Sequence, residues 1–336
     1  MNRVGPLLFL DVHLVIRQIL VVTALSAIGW CLSGQLLAQP PVDDDPLVYT
    51  GPPRKQDEVI LIDTRALEKP SADEAVKLPL KRFSEAGKWE EFTVEAFVRD
   101  SEADVPTIVY VHGYDFSDEK AERVGWAMYH ALCDELPSQQ RVRYVIWSWP
   151  SVAKRFRRGD VRDKSIRGDA EGYWLAWLIA QLPAKSRVNV VGSALGCAAV
   201  EGMLHISGGG EIDGWQVARS DDTPGPAVRA VFISAAIHDY WLYEGEFHDQ
   251  ALKRCEGLLL LNNSHDPTLV NYHRAWSRRP AALGLDGLPN VEKFGELAKR
   301  IEQFDAHEVI GQHHGVENYL RSPELVGKLR EFLLQQ

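Results

Sequence analysis

The chain has 336 residues, of which 45% are hydrophobic and 25% charged, the composition of an ordinary globular protein long enough to bury one large α/β core. Its formal net charge is −10, which excludes nucleic acid or another polyanion as the expected partner. Of four cysteines, Cys31 lies in an N-terminal apolar run, and Cys133, Cys197 and Cys255 show no C-x-x-C spacing, so neither a disulfide framework nor a zinc site is indicated. These three are expected as small buried apolar residues, with a bridge between one pair left open.

In chain order, residues 1–18 carry Arg3 and Arg17 against Asp11, an apolar run covers 19–32, and Ala38 offers a small residue for cleavage. That pattern is a secretory signal, so the protein is expected in the cell envelope, periplasm or medium. The alternative is a membrane anchor built from residues 19–38. Residues 39–57, rich in proline and charge, read as a linker, and 58–336 as the folded domain. Strands are predicted at 58–64 and, from alternation, at 92–98, with an irregular stretch at 68–91 between them. The β-branched run 107–111 predicts a central parallel strand, 118–136 an amphipathic helix and 141–147 another strand closed by Pro150.

The charged stretch 154–169 reads as a solvated loop. The other reading is that Lys154, Arg155, Arg157 and Arg158 hold an anionic ligand. A helix at 170–182 is expected to bury Tyr173, Trp174, Trp177 and Leu178 in the core, and Trp147, Trp149, Trp174 and Trp177 together suggest a large apolar core near the pocket. After a strand and helix ending near residue 206, Gly208-Gly209-Gly210 ends the helix and lacks the Lys-Ser/Thr of a phosphate loop. Strands follow at 228–234, 257–261 and 306–310, and a helix at 315–334 is interrupted at Pro323. Repeated strand–helix units of this kind predict an α/β fold, a mostly parallel sheet with helices on both faces. Functional residues then belong at the carboxyl ends of the strands.

The most informative stretch is Val188-Asn189-Val190-Val191-Gly192-Ser193-Ala194-Leu195-Gly196. It has the layout of a nucleophile elbow, G-x-S-x-G, in which a serine sits on a strained strand-to-helix turn. Gly192 and Gly196 occupy the glycine positions, but the central residue is Ala194, and Ser193 comes one place early. Placing Ser193 at the centre would put Val191 and Leu195 where small residues are needed. In the register kept, Ser193 points away from the tip, and neither it nor Cys197 replaces the nucleophile convincingly.

Beyond the elbow, Asp266 follows one strand and His313-His314 the last, giving the order nucleophile, acid, histidine. Asp266 fits the acid that orients an imidazole, and His314, with His313 as alternative, fits the base. His112-Gly113 after the central strand fits an oxyanion turn, with the backbone N–H groups of Tyr114 and Leu195 as the two donors. Each has a plain reading as well. His112 packs beneath a turn, Asp266 before Pro267 caps a helix, and His313-His314 are surface histidines. These residues match no metal-ligand spacing, and no cofactor is expected.

The segments Val109-Tyr110-Val111-His112-Gly113-Tyr114, Trp147-Ser148-Trp149-Pro150-Ser151 and Gly192–Gly196 together resemble the α/β-hydrolase superfamily, and more narrowly its bacterial branch of uncharacterised domains. The resemblance covers roughly residues 59–334. It implies the α/β-hydrolase fold, a three-layer sandwich, and ester, amide or thioester hydrolysis without a cofactor. Alanine at 194 departs from the family pattern and removes the covalent route. The expectation is therefore an exported protein that has lost hydrolysis and binds a small molecule or envelope partner. The alternative is an active esterase or acyl hydrolase using Ser193 or a water activated by His314 and Asp266. A lyase or isomerase on the same scaffold has no positive support in the sequence.

Overall fold

Burial on both sides selects β-branched and aliphatic residues for the middle of the sheet, and Thr107–Val111 and Val188–Ser193 are buried at every position. In the computed structural model the described residues are 47, 51–71, 76–154, 157–217 and 225–334, so the predicted leader and most of the linker lie outside them. Nine strands form one sheet: β1 Glu58–Asp63, β2 Leu80–Phe83, β3 Trp89–Phe92, β4 Thr107–Val111, β5 Arg143–Ser148, β6 Val188–Ser193, β7 Val228–Ile233, β8 Cys255–Asn262 and β9 Ile301–Asp305. Their order is β3-β2-β1-β5-β4-β6-β7-β8-β9. Only β2 runs against its neighbours; the pairs from β1–β5 through β8–β9 are parallel.

The helices are α1 Val94–Arg99, α2 Asp118–Cys133, α3 Arg157–Ala180, α4 Gly196–Ser207, the single turns α5 Pro267–Val270, α6 Leu283–Asp286 and α7 His307–Ile310, then α8 Val316–Arg321 and α9 Pro323–Leu334. Alternation along the strands sends side chains to two cores. Val109, Val111 and Val190 meet Leu175 and Leu178 of α3 and Ala198 of α4. Ile108, Tyr110 and Val191 meet Val124 and Met128 of α2, Tyr319 of α8 and Leu329 of α9. The sheet is thus sandwiched between two helical layers. Trp147, Trp149 and Trp174 are buried in the first core, as are the free Cys197 and Cys255, while Cys133 lies in the second.

Four local expectations are corrected. The stretch 92–98 is the end of β3 followed by α1, because Thr93 takes extended backbone and its hydroxyl accepts the Ala96 N–H as an N-cap. Apolar alternation there buries only Phe92 and Phe97. The polar stretch 68–91 contains β2 and most of β3, joined through a turn in which Gly87 has φ 74°. The charged loop is largely the beginning of α3. Asp160 accepts the Tyr114 hydroxyl at 2.6 Å and the Lys154 N–H at 2.8 Å, and buried Lys164 donates to the Pro150 carbonyl. Charges that read as solvated therefore hold the helix to the loop after β5. The anion-binding reading of that cluster rests on Arg155, Arg157 and Arg158, whose side chains lie outside the described residues.

The last strand is β9 at Ile301–Asp305, and residues 307–310 form α7. Edge position explains the error: β9 pairs on one side only, keeps Ile301 and Phe304 half-buried and exposes its polar residues, so it lacks the continuous apolar signature.

Candidate functional site

Ala194 stands at φ 48°, in the left-handed region that a non-glycine residue enters at a cost of about 1–2 kcal/mol. Three backbone bonds hold it there. Its N–H donates to the Ile233 carbonyl at 2.9 Å, and its own carbonyl accepts from Ala236 at 3.1 Å and from Cys197 at 3.2 Å. The neighbouring glycines are required by close approach. A Cβ on Gly196 would sit 2.4 Å from the Val111 carbonyl oxygen and 2.5 Å from that of His112, and one on Gly192 would sit 2.9 Å from Cys197 Cα. The sharp turn between β6 and α4 is thus complete, and a methyl group occupies its tip.

The turn after β4 abuts the elbow, since a Cβ on Gly113 would lie 3.1 Å from both Ala194 Cβ and the Ser193 carbonyl oxygen. His112 builds this turn from beneath. Its ring is fully buried, stacked between Phe116 at 4.9 Å and Trp149 at 5.8 Å. Nε2 accepts the Trp149 N–H at 3.1 Å and Nδ1 lies 2.9 Å from the Gly113 carbonyl, which fixes the neutral form protonated on Nδ1. Burial pushes its pKa down to about 3. Asp115, at φ 63°, ties the turn to the loop after β5: its N–H donates to the Ser151 carbonyl at 2.9 Å and its carboxylate accepts the Ala153 N–H at 3.0 Å. Gly113, Tyr114 and Leu195 line one cavity together with Ala194.

Asp266 is fully buried, and His314 Nδ1 lies 2.5 Å from its Oδ2. Oδ1 of the same carboxylate accepts the Thr268 N–H at 2.8 Å and the Leu269 N–H at 3.3 Å, capping α5 with Pro267 in its first turn. One carboxylate thus caps α5 and reaches the imidazole at once. His314 lines the cavity, whereas His313 contributes its carbonyl oxygen, which accepts from Asn263 Nδ2 at 3.0 Å. Asn263 Nδ2 also reaches the Gly311 carbonyl at 2.9 Å, so this buried amide fixes the histidine loop from both sides. Asn263 belongs to no motif; its signal in the sequence is its place directly after β8, in the run that holds Asp266.

Ser193 and Cys197 are accounted for. Ser193 ends β6 with its hydroxyl 3.1 Å from that of buried Tyr110, on the strand face opposite Val190. Cys197 is fully buried with Sγ 3.9 Å from the Ile233 carbonyl, and burial pushes its thiol pKa well up.

The cavity has a volume of about 430 Å³ and a mostly carbon wall that includes Phe116, Val161, Leu269 and Tyr272. Trp147, Trp149 and Trp174 belong to the first core, with Trp177 packed against it, and none of the four lines the cavity. Lys120 and Arg274 do, and neither was singled out in the sequence. Among the described residues no group of three or more His, Cys, Asp and Glu side chains is arranged to hold a metal ion. Chemically, the site offers a buried carboxylate paired with an imidazole, a glycine turn and an apolar cavity, around a tip that carries no hydroxyl.

A mostly parallel sheet with an elbow after β6, Asp266 after β8 and His314 after β9 is the α/β-hydrolase fold, and this chain has it. No protein-family profile matches the chain, and no curated protein matches it in sequence. Among solved structures it is similar to acyl-protein thioesterase 2 of Zea mays, at 16% identity over 70% of this chain and 97% of that one, with a TM-score of 0.35. It is also similar to esterase B of Lactobacillus rhamnosis in two inhibited forms. One shows 13% identity over 69% and 77% of the two chains with a TM-score of 0.34, the other 12% over 96% of each with 0.35.

Proposed function

We propose that this protein is an exported member of the bacterial uncharacterised branch of the α/β-hydrolase superfamily that binds a small molecule in its cavity and does not hydrolyse it through an acyl-enzyme. The observation that carries the reading is Ala194, a methyl group at φ 48° between two glycines that admit no side chain. A covalent intermediate needs a nucleophilic atom at that tip, and alanine supplies none. Ser193 also lines the cavity, but its hydroxyl lies 3.1 Å from that of buried Tyr110, which argues against it as a substitute. The branch assignment rests on the strand ends His112-Gly113-Tyr114 and Ser148-Trp149-Pro150, and export on the basic and apolar pattern of residues 1–38.

A fluorophosphonate serine probe tests this directly. The purified protein is expected to stay unlabelled, and stoichiometric labelling of the wild type would overturn the reading. Ala194→Ser is expected to gain labelling, since His314 contacts Asp266 and shares the cavity wall with Ala194. N-terminal sequencing of the protein recovered from its producing cell tests export, with cleavage after Ala38 expected.

A second reading is supported by the Asp266–His314 pair, held at 2.5 Å. In it the imidazole takes a proton from water while the water oxygen attacks an acyl carbon, and the leaving alkoxide receives that proton. This reading requires ester turnover that disappears in His314→Ala and survives Ala194→Gly. Absence of turnover across a panel of acyl esters removes it.

A further inference from the structure

Two cations line the cavity without a carboxylate to pair with. Lys120 is half-buried, with Nζ 4.2 Å from the centroid of the Phe116 ring, itself part of the cavity wall. Arg274 follows α5 and lies on the wall with Tyr272 and Ala275. Among the described residues neither has an ion-pair partner, although the protein carries a net charge of −10. The carboxylate on the same wall, Glu317, faces Arg123 at 3.7 Å. The cavity is therefore a carbon-lined space whose unpaired charge is positive, set in an acidic protein. Unpaired cations beside apolar surface favour an anion with an apolar body over a neutral or cationic amphiphile.

We propose that the ligand is a single-chain carboxylate: an aliphatic tail against Val161, Leu269 and Tyr272, with a carboxylate head held by Lys120 and Arg274. The planar fork of an arginine matches a carboxylate in a way that it does not match an alcohol or an ester oxygen. This deepens the binding reading given above and rests on it for the idea that a ligand remains bound uncleaved. The head preference itself comes from Lys120 and Arg274 and not from Ala194.

Calorimetric titration of the full chain with sodium decanoate, 1-decanol, decylammonium and decyl phosphate tests the inference. Decanoate is expected to bind about tenfold or more tightly than decanol, and decylammonium more weakly than either, as suits one charge-assisted contact. The double variant Lys120→Ala/Arg274→Ala is expected to bring decanoate to within about threefold of decanol. Ala275→Trp, which narrows the cavity, is expected to weaken both. Equal affinity of the wild type for decanoate and decanol, no binding of any of the four, or full carboxylate preference in the double variant would each overturn the proposal. Tighter binding of decyl phosphate than of decanoate would overturn the carboxylate head. Because decanoate holds no cleavable bond, ester turnover by the wild type would defeat the non-hydrolytic reading and leave the head preference measurable.

Discussion

Asp266 holds α5 with one carboxylate oxygen and His314 with the other. The two tasks separate by substitution. Asp266→Asn keeps an oxygen for the Thr268 and Leu269 N–H groups but withdraws the anionic acceptor from the imidazole, a loss of about 1.5–3 kcal/mol. Asp266→Ala removes the cap as well, a further loss of about 1 kcal/mol. Urea unfolding of the two variants is expected to rank alanine below asparagine. Equal stabilities would mean that the cap contributes nothing.

The elbow is expected to tolerate added methyl groups in a fixed order. Gly196→Ala places a Cβ within 2.5 Å of two backbone oxygens that cannot move without shifting β4, so its cost should exceed the usual overpacking range of about 1–3 kcal/mol. Gly192→Ala meets backbone at 2.9 Å and should cost less, and Gly113→Ala, at 3.1 Å, least. Ala194→Gly removes left-handed strain while adding unfolded-state entropy, so its stability should match the wild type to within about 1 kcal/mol. Thermal unfolding of the four variants checks the ranking, and a Gly196→Ala protein as stable as Gly113→Ala would contradict the backbone contacts.

Much of the fold and the core of the site were legible because their signals are local. β4 and β6 are buried on both faces and read as apolar runs; Gly192, Ala194 and Gly196 sit within five residues of one another; and Asp266 announces its cap through Pro267. What failed was edge structure and long-range polar pairing. β9 exposes most of its length, β2 and β3 are four residues each, and the opening of α3 hides its partners, since Asp160 meets Tyr114 46 positions away. Asn263 escaped notice for the same reason: its amide acts on carbonyls 48 and 50 positions further on. Lys120 and Arg274 line one cavity only once the chain has folded.

Ser193 offers a control for the probe experiment. Its hydroxyl shares a buried hydrogen bond with Tyr110, so Ser193→Ala is expected to cost about 1 kcal/mol and to leave the Tyr110 hydroxyl without that partner. In the Ala194→Ser background, Ser193→Ala should leave fluorophosphonate labelling intact, whereas His314→Ala should abolish it. Peptide mapping of the labelled protein should place the adduct on position 194. An adduct on Ser193 would show that the elbow shifts register when it is loaded.

Buried histidines of opposite tendency should give the protein a stability maximum near pH 6.5. Burial holds His112 down at about 3 and His238 at about 4, so the folded chain binds fewer protons there than the unfolded chain. Their contribution is present above pH 6.5 and is lost as the pH falls toward 4. His248 behaves the other way. Burial alone would lower it, but Glu201 at 3.0 Å and Asp169 at 3.7 Å outweigh that and hold it up at about 9. Its contribution is present below pH 6.5 and is lost as the pH rises through 9. Burial also raises the pKa of Glu201 and Asp169, against the lowering effect of His248. The His205 ring lies tilted 5.4 Å from that of His248; its pKa is lowered by burial, and it belongs with the acid limb. Urea unfolding of the wild type should lose about 1–2 kcal/mol between pH 6.5 and 8, the part of the His248 shift that falls below the range in which the buried thiols contribute. His248→Gln should be less stable at pH 6.5 and nearly flat over that interval. A variant that kept the full alkaline slope would show that the slope arises elsewhere than in the bridge joining α3 and α4.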